Sequence, residues 1–234
     1  MFLVLKKRIL IIAIVALFLC ALSVGTTIWV AVAIPKPDYT VILDAGHGGA
    51  DAGVIGVNSK IKESTMNLII TENVKKYLVD FGVRVVLTRS DENGLYGSEI
   101  TNQKKLDMRR RKEKILSTVP DLVVSIHCNK FPDKERRGAQ VFFDNSKASG
   151  MLLASMLQMN LNALNLTHIG HALKALSGDY YMLKCSNFPS ALVECGFLSN
   201  VDDDALLNDS TYRDKLSYAI ATAIFSFLTN EQIK

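Results

Sequence analysis

Leu122-Val123-Val124-Ser125-Ile126-His127 is a short uncharged run, rich in β-branched residues, that ends on an imidazole. A run of this length and composition reads as a strand buried on both faces, the strand type of a mostly parallel sheet. Two further runs repeat the pattern: Val41-Ile42-Leu43 leads into Asp44-Ala45-Gly46-His47, and Ala191-Leu192-Val193 ends on Glu194. In open α/β sheets, ligands bind outside the carboxyl ends of the strands. The three runs therefore predict one crevice faced by His47, His127 and Glu194.

The segments between the runs supply the other layers. Residues 40–43 read as the first strand. Residues 64–81 read as a helix with Met66, Ile70, Val74, Tyr77 and Phe81 at helical spacing and Gly82 as its stop. Strands are expected over 83–88, 122–127, 138–143 and 191–194, with a further short one over 180–183. Helices are expected over 101–117, 147–164 and 212–228. This alternation predicts an α/β, three-layer domain over residues 39–234, with a mostly parallel central sheet flanked by helices.

The N-terminus has a different character. Residues 1–8 carry Lys6, Lys7 and Arg8 and no acid, and residues 9–34 hold no charge. At ~1.5 Å per residue the uncharged stretch spans a ~30 Å hydrocarbon core. A basic flank before such a segment keeps the N-terminus in the cytoplasm and exports the chain beyond it. Residues 1–34 thus read as a basic tip and signal anchor, one N-terminal transmembrane helix. Pro35-Lys36-Pro37-Asp38 reads as a stiff linker. Ala31-Val32-Ala33 supplies the rival reading, a cleaved signal peptide and a secreted domain, although the apolar stretch exceeds the usual ~7–15 residues. Leu17-Phe18-Leu19-Cys20 is a poor lipoprotein site because Leu19 is bulky.

The formal net charge of +4 resides mostly in that tip; without Lys6, Lys7 and Arg8 the chain has 24 Lys+Arg against 23 Asp+Glu. That balance argues against a nucleic-acid surface. Arg109-Arg110-Arg111-Lys112, flanked by Asp107 and Glu113, is expected to be a solvated helix face. Cys128, Cys185 and Cys195 are odd in number and lack a Cys-x-x-Cys pair, so neither a disulfide framework nor a zinc ribbon is expected. They read as small buried side chains.

The candidate chemistry rests on four residues. His47 lies in the turn Gly46-His47-Gly48-Gly49, His127 ends a strand, and Glu63 opens a helix. Taken singly, a strand-end histidine is more often structural, and a helix-start glutamate is favoured by the helix dipole alone. Together, two imidazoles and a carboxylate form a catalytic zinc set with one position left open for water. Glu194 is then the candidate carboxylate that takes the water's proton. Asp44 and Ser125 are candidates for orienting a ligand imidazole, and burial with an ordinary hydrogen bond is the equal alternative.

Five motifs, in order, carry a family resemblance: Leu43-Asp44-Ala45-Gly46-His47-Gly48-Gly49, Lys62-Glu63, Leu87-Thr88-Arg89, Ser125-Ile126-His127-Cys128-Asn129 and Val193-Glu194-Cys195-Gly196-Phe197-Leu198-Ser199-Asn200. They resemble the zinc-dependent N-acetylmuramoyl-L-alanine amidases over about residues 39–229. The resemblance implies one Zn²⁺ held by His47, Glu63 and His127, with Glu194 as the catalytic carboxylate. It implies cleavage of the amide between the lactyl group of N-acetylmuramic acid and L-alanine in peptidoglycan. A single catalytic domain behind an anchor, together with the segment leading to Pro189-Ser190-Ala191-Leu192-Val193-Glu194, resembles the germination-specific spore-cortex (CwlD-like) subgroup. There, stem-peptide removal precedes muramic-δ-lactam formation. The chain departs from the family at Thr167-His168-Ile169-Gly170-His171-Ala172-Leu173-Lys174, which lacks an expected arginine, and at Cys128 and Cys195. His168 and His171 read as surface or loop residues. The rival functions are another zinc-dependent wall hydrolase (a peptidase or deacetylase), a vegetative autolysin, and a catalytically silent wall-binding domain. An activating protein partner is a further expectation of unspecified identity.

Overall fold

A computed structural model describes Ile14, Val15 and residues 39–230. The chain divides into two compact units, Met1–Pro37 and Asp38–Lys234; of the first, only Ile14 and Val15 are described. The expected anchor and linker otherwise lie outside the described residues. Among the described residues, no helix is long and apolar enough to cross a membrane.

The second unit contains β1 (Thr40–Ala45), α1 (Glu63–Asp80), β2 (Arg84–Leu87), α2 (Gln103–Thr118), β3 (Leu122–Asn129), β4 (Gln140–Phe143), α3 (Ala148–His168), β5 (Leu176–Ser177), α4 (Tyr181–Lys184), β6 (Ser190–Phe197), α5 (Val201–Asn208) and α6 (Ser210–Thr229). The six strands form one sheet in the order β2-β1-β3-β6-β4-β5. The pairs β1–β2, β1–β3 and β3–β6 are parallel, β4 runs antiparallel to β6, and β5 is parallel to β4. The expected mostly parallel α/β sheet is therefore present.

Period-2 alternation divides the side chains between two faces. Val41 and Leu43 of β1, Val124 and Ile126 of β3, and Val193 of β6 join one large apolar cluster. Met66, Ile70, Val74 and Leu78 of α1 close over it, with Leu153, Leu157 and Leu161 of α3 and Leu216, Ile220 and Ile224 of α6. On the opposite face Ile42 and Val123 pack against Ile115 of α2 and Met182 of α4. Residues in phase with them, Asp44, Ser125, His127 and Glu194, are thus directed to the thinner side of the sheet.

Two expectations need correction. Residues 181–184 form a helical turn, not a strand, and the added strand at that edge is Leu176–Ser177. Tyr180 ends the connection with its ring against Phe142, at a centroid distance of 5.2 Å, so it packs on the sheet without joining it. The short helix α5 also has no counterpart among the expected elements. Asn200 caps it, accepting from the backbone N–H groups of Asp202 and Asp203 at 3.0 Å each.

Candidate metal centre

The three proposed ligands converge from three different elements. His47 sits after β1 in a left-handed backbone conformation, φ 60°. Glu63 is the first residue of α1, and His127 lies near the end of β3. His47 Nε2 and His127 Nδ1 each lie 3.1 Å from Glu63 Oε1. One ligand atom from each residue falls within 4.8 Å of the other two, the one such group among the described residues. Ligands at 2.0–2.1 Å from a tetrahedral zinc are separated by about 3.3 Å. The donor set and its spacing therefore fit such an ion.

Two glycines permit this approach. A Cβ at Gly46 would run into the His127 imidazole, and one at Gly53, φ +67°, would meet the Glu63 carboxylate. Glu63 is 2 % exposed. Its Oε2 accepts from Val54 N–H at 2.9 Å, and its Oε1 accepts from Cys128 N–H at 3.2 Å and Asn67 Nδ2 at 3.3 Å. Burial opposes its charge, but His127 and His47 outweigh that and hold the carboxyl well below the usual carboxylate range. For His47, burial favours the neutral ring, while contact with Glu63 and Asp51 prevails and raises its pKa. Such proton-sharing contacts are those a metal ion displaces when it binds.

Glu194 stands beside this cluster and has another electrostatic character. Its Cα is paired in register with that of His127 across β3 and β6. It is 6 % exposed, and its buried Oε2 has no hydrogen-bond partner. Burial pushes its carboxyl up to about 7 against the pull of His127. A buried carboxylate oxygen without a partner is costly in a folded protein and marks a place for a missing ligand or reacting group.

A family model for N-acetylmuramoyl-L-alanine amidase matches residues 41–226. The chain belongs to this family. It is 32% identical over 206 residues to the germination-specific N-acetylmuramoyl-L-alanine amidase of Bacillus subtilis, covering 87% of this chain and 85% of that one. Among solved structures it is similar to the CwlD amidase from Clostridioides difficile, in complex with the GerS lipoprotein. That match has 34% identity and a TM-score of 0.76, over 82% of this chain and 99% of that one. The catalytic domain of CwlV, an amidase from Paenibacillus polymyxa, gives 26% identity and a TM-score of 0.69, over 81% and 98% of the two chains.

Of the two readings of Asp44 and Ser125, the structure bears out burial with ordinary hydrogen bonds: each is 1 % exposed, and Ser125 donates to Asp44, not to an imidazole. Asp44 accepts from Thr88 Oγ1 at 2.7 Å, from Ser125 Oγ at 2.6 Å and from Arg111. Burial works against its ionisation, but Arg111 and the two hydroxyls prevail and hold it at about 2. The carboxylate nearest His47 is Asp51, whose Oδ1 lies 2.9 Å from Nδ1. Lys104 pairs with the other Asp51 oxygen.

Arg111 is the clearest correction. Arg109 and Arg110 are exposed as expected, but Arg111 has no exposed surface. The sequence signal was available: Asp107, Arg111 and Ile115 recur every fourth residue and form the buried stripe of α2. An acid and an arginine in line with an isoleucine indicate a paired inward charge.

The cysteines behave as expected. Cys128, Cys185 and Cys195 are free and buried, and burial pushes each thiol up. His168 ends α3 with its ring against Tyr212, while exposed His171 lies in the following loop. That loop reaches the site edge, where Gln140 Nε2 donates to the Lys174 carbonyl at 2.6 Å. Gln140 is itself the register partner of Glu194.

An open crevice runs past the cluster. Gly46, His47, His127, Tyr180 and Leu192 line a cavity of about 120 Å³. Met108 and Tyr181 carry it into a wider cleft of about 750 Å³ along α2.

Proposed function

We propose that the chain is a zinc-dependent N-acetylmuramoyl-L-alanine amidase that hydrolyses the amide joining N-acetylmuramic acid to L-alanine in peptidoglycan. One observation carries the reading: the His47–Glu63–His127 cluster stands beside a buried, unpartnered Glu194 carboxylate in a chain of this family. His47, Glu63 and His127 would hold one Zn²⁺. That ion supplies Lewis acidity, which lowers the pKa of water and polarises an amide carbonyl.

The chain's own groups account for positioning and proton transfer. The carboxylates and backbone around Glu63 and His47 fix the donor atoms before an ion arrives. Glu194 has a proton affinity poised near neutrality, the range that serves general acid–base work. With a cation beside it that value falls, which leaves Glu194 ionised as the base. Its Oε2 takes a proton from the attacking water and returns it to the leaving amine of L-alanine. The cleft over Met108 and Tyr181, about 750 Å³, leaves room for substrate beside the cluster.

The similarity to the Bacillus subtilis germination-specific enzyme supports a role in spore cortex, preceding muramic-δ-lactam formation. The solved relative is in complex with a lipoprotein, which supports a protein partner here. We assign residues 1–34 to a signal anchor, residues 35–38 to a linker and residues 39–234 to an exported catalytic domain. The basic tip and uncharged stretch support that assignment.

The test is to digest purified peptidoglycan with the full chain and identify the new termini by mass spectrometry. Free L-alanine N-termini and muramic acid with a free lactyl carboxylate are the expected products, and they disappear on chelation. New termini within the stem peptide, or loss of N-acetyl groups, would favour the other wall hydrolases.

A further inference from the structure

We propose that Arg89 and Arg111 form a backbone clamp that sets metal affinity by fixing the His47 turn against the Glu63 helix. The inference rests on His47 and Glu63 being metal ligands. Both guanidinium groups are buried, Arg111 completely and Arg89 at 3 % exposure. Four of their eight hydrogen bonds go to main-chain carbonyls of the turn. Arg111 Nη1 donates to Ala45 O at 2.7 Å and its Nη2 to His47 O at 2.6 Å. Arg89 Nε donates to Ala45 O at 3.0 Å and its Nη2 to Gly46 O at 3.0 Å. Every carbonyl from Ala45 to His47 is therefore held by a guanidinium.

The same Arg89 Nη2 also donates to Ser64 O at 2.6 Å. Ser64 directly follows Glu63, so one nitrogen ties together the backbones that carry two ligands. Asp107 receives Arg111 Nε at 2.6 Å, while Asp44 receives Nη1. Ser125, two residues before His127, donates to the other oxygen of Asp44. The network thus reaches all three ligand-bearing segments.

The energetics explain why arginine is required. His47, a non-glycine residue at φ 60°, is held against its intrinsic preference. A planar fork with fixed donors can hold that turn in one geometry; the lysine ammonium is a rotatable point donor and cannot. A ligand backbone free to relax would have to be ordered when the ion binds. Outer contacts of this kind are typically worth 10–100-fold in metal affinity. Glu194, on β6, lies outside the clamp.

The experiment compares Arg89→Lys and Arg111→Lys with the wild-type full chain in detergent. Zinc affinity is measured by chelator competition, ligand geometry by the visible spectrum of the cobalt form, and fold by thermal unfolding without metal. The clamp predicts one ion per chain, zinc affinity about 10–100-fold weaker, and a changed cobalt spectrum. Unchanged affinity and spectrum in folded lysine variants would overturn it, even if they melt lower, because a purely structural role gives that result. Should either lysine variant fail to fold, Asp107→Asn releases Arg111 from the periphery and is expected to weaken zinc binding about tenfold. Unchanged binding in that variant would likewise overturn the clamp. His47→Ala separates the two readings: if it binds zinc as the wild type does, the ligand assignment fails. If it loses zinc while the arginine variants do not, only the clamp fails.

Discussion

The two faces of the central sheet are built on different principles. One buries Val41, Leu43, Val124, Ile126 and Val193 under α1, α3 and α6. The other carries a small apolar patch around Ile42, Val123, Ile115 and Met182, and bears Asp44, Ser125, His127 and Glu194 on the same strands and β6. Apolar burial is additive and non-directional, so the first face supplies stability. Polar groups out of water need specific partners, so the second face supplies geometry. Its two carboxylates illustrate this. Asp44 is held at about 2 because Arg111 and two hydroxyls outweigh its burial, whereas Glu194 rises to about 7 because its burial outweighs the pull of His127 and no hydrogen bond reaches its Oε2. One carboxylate serves as a fixed anchor and the other can exchange a proton. Separation of two carboxylates by environment is a recurrent way to assign acid–base roles.

The largest effect that would break this division is on turnover. Glu194→Gln is expected to lower kcat about 10²–10⁴-fold while zinc content and melting behaviour stay near wild type. Loss of the bound ion in that variant would make Glu194 a ligand instead. Next, Asp44→Asn should destabilise the fold by about 3 kcal/mol, because buried Arg111 loses one of its two carboxylate partners. Urea unfolding measures this. The advantage of wild type over Asp44→Asn depends on an ionised Asp44 whose pKa is depressed by folding. It is therefore complete above the ordinary value of 3.8 and lost as the pH falls through about 2.

On the apolar face, Ile70→Ala should cost about 2–5 kcal/mol of stability and leave kcat/KM per folded molecule unchanged. A large catalytic defect there would mean that the faces are coupled. In metal-free protein, Glu194 gives the opposite pH sign to Asp44. Its folded value is raised, so its contribution is present below the ordinary 4.5 and fades as the pH rises through about 7. Thermal scans of wild type against Glu194→Gln check that sign. The smallest effect lies far from both faces. Asp209 caps α6 by accepting from Thr211 and Tyr212 N–H, and Asp209→Ala should lower the melting temperature slightly without touching activity.

Legibility in the sequence divides along the same line. The strands β1, β3 and β6 were readable because complete burial leaves continuous apolar runs, and α1 because Met66, Ile70 and Val74 keep helical phase. His47, Glu63, His127 and Glu194 stood out because each borders an apolar run or a turn in the sequence, although β3 and β6 continue past His127 and Glu194 to Asn129 and Phe197. Residues 180–183 misled because Tyr-Tyr-Met-Leu has strand-like composition, while a single helical turn was enough to bury Met182 and Leu183. The run at Arg109–Lys112 misled because its other members reach solvent and Arg111 does not, a distinction set by helix phase against a neighbouring strand.

The sequence by itself determined the three central strands, the mostly parallel sense of the sheet and four candidate residues beside it, since local pattern carries strand burial and turns. Only the tertiary structure decided which groups hold those residues. Arg89, Arg111 and Asp51 lie 42, 64 and 4 positions from His47 along the chain. Their roles depend on carbonyls and imidazole atoms that come within hydrogen-bonding reach only when three elements pack. Hydrogen bonds to backbone leave little trace in residue type, because every residue offers the same carbonyl.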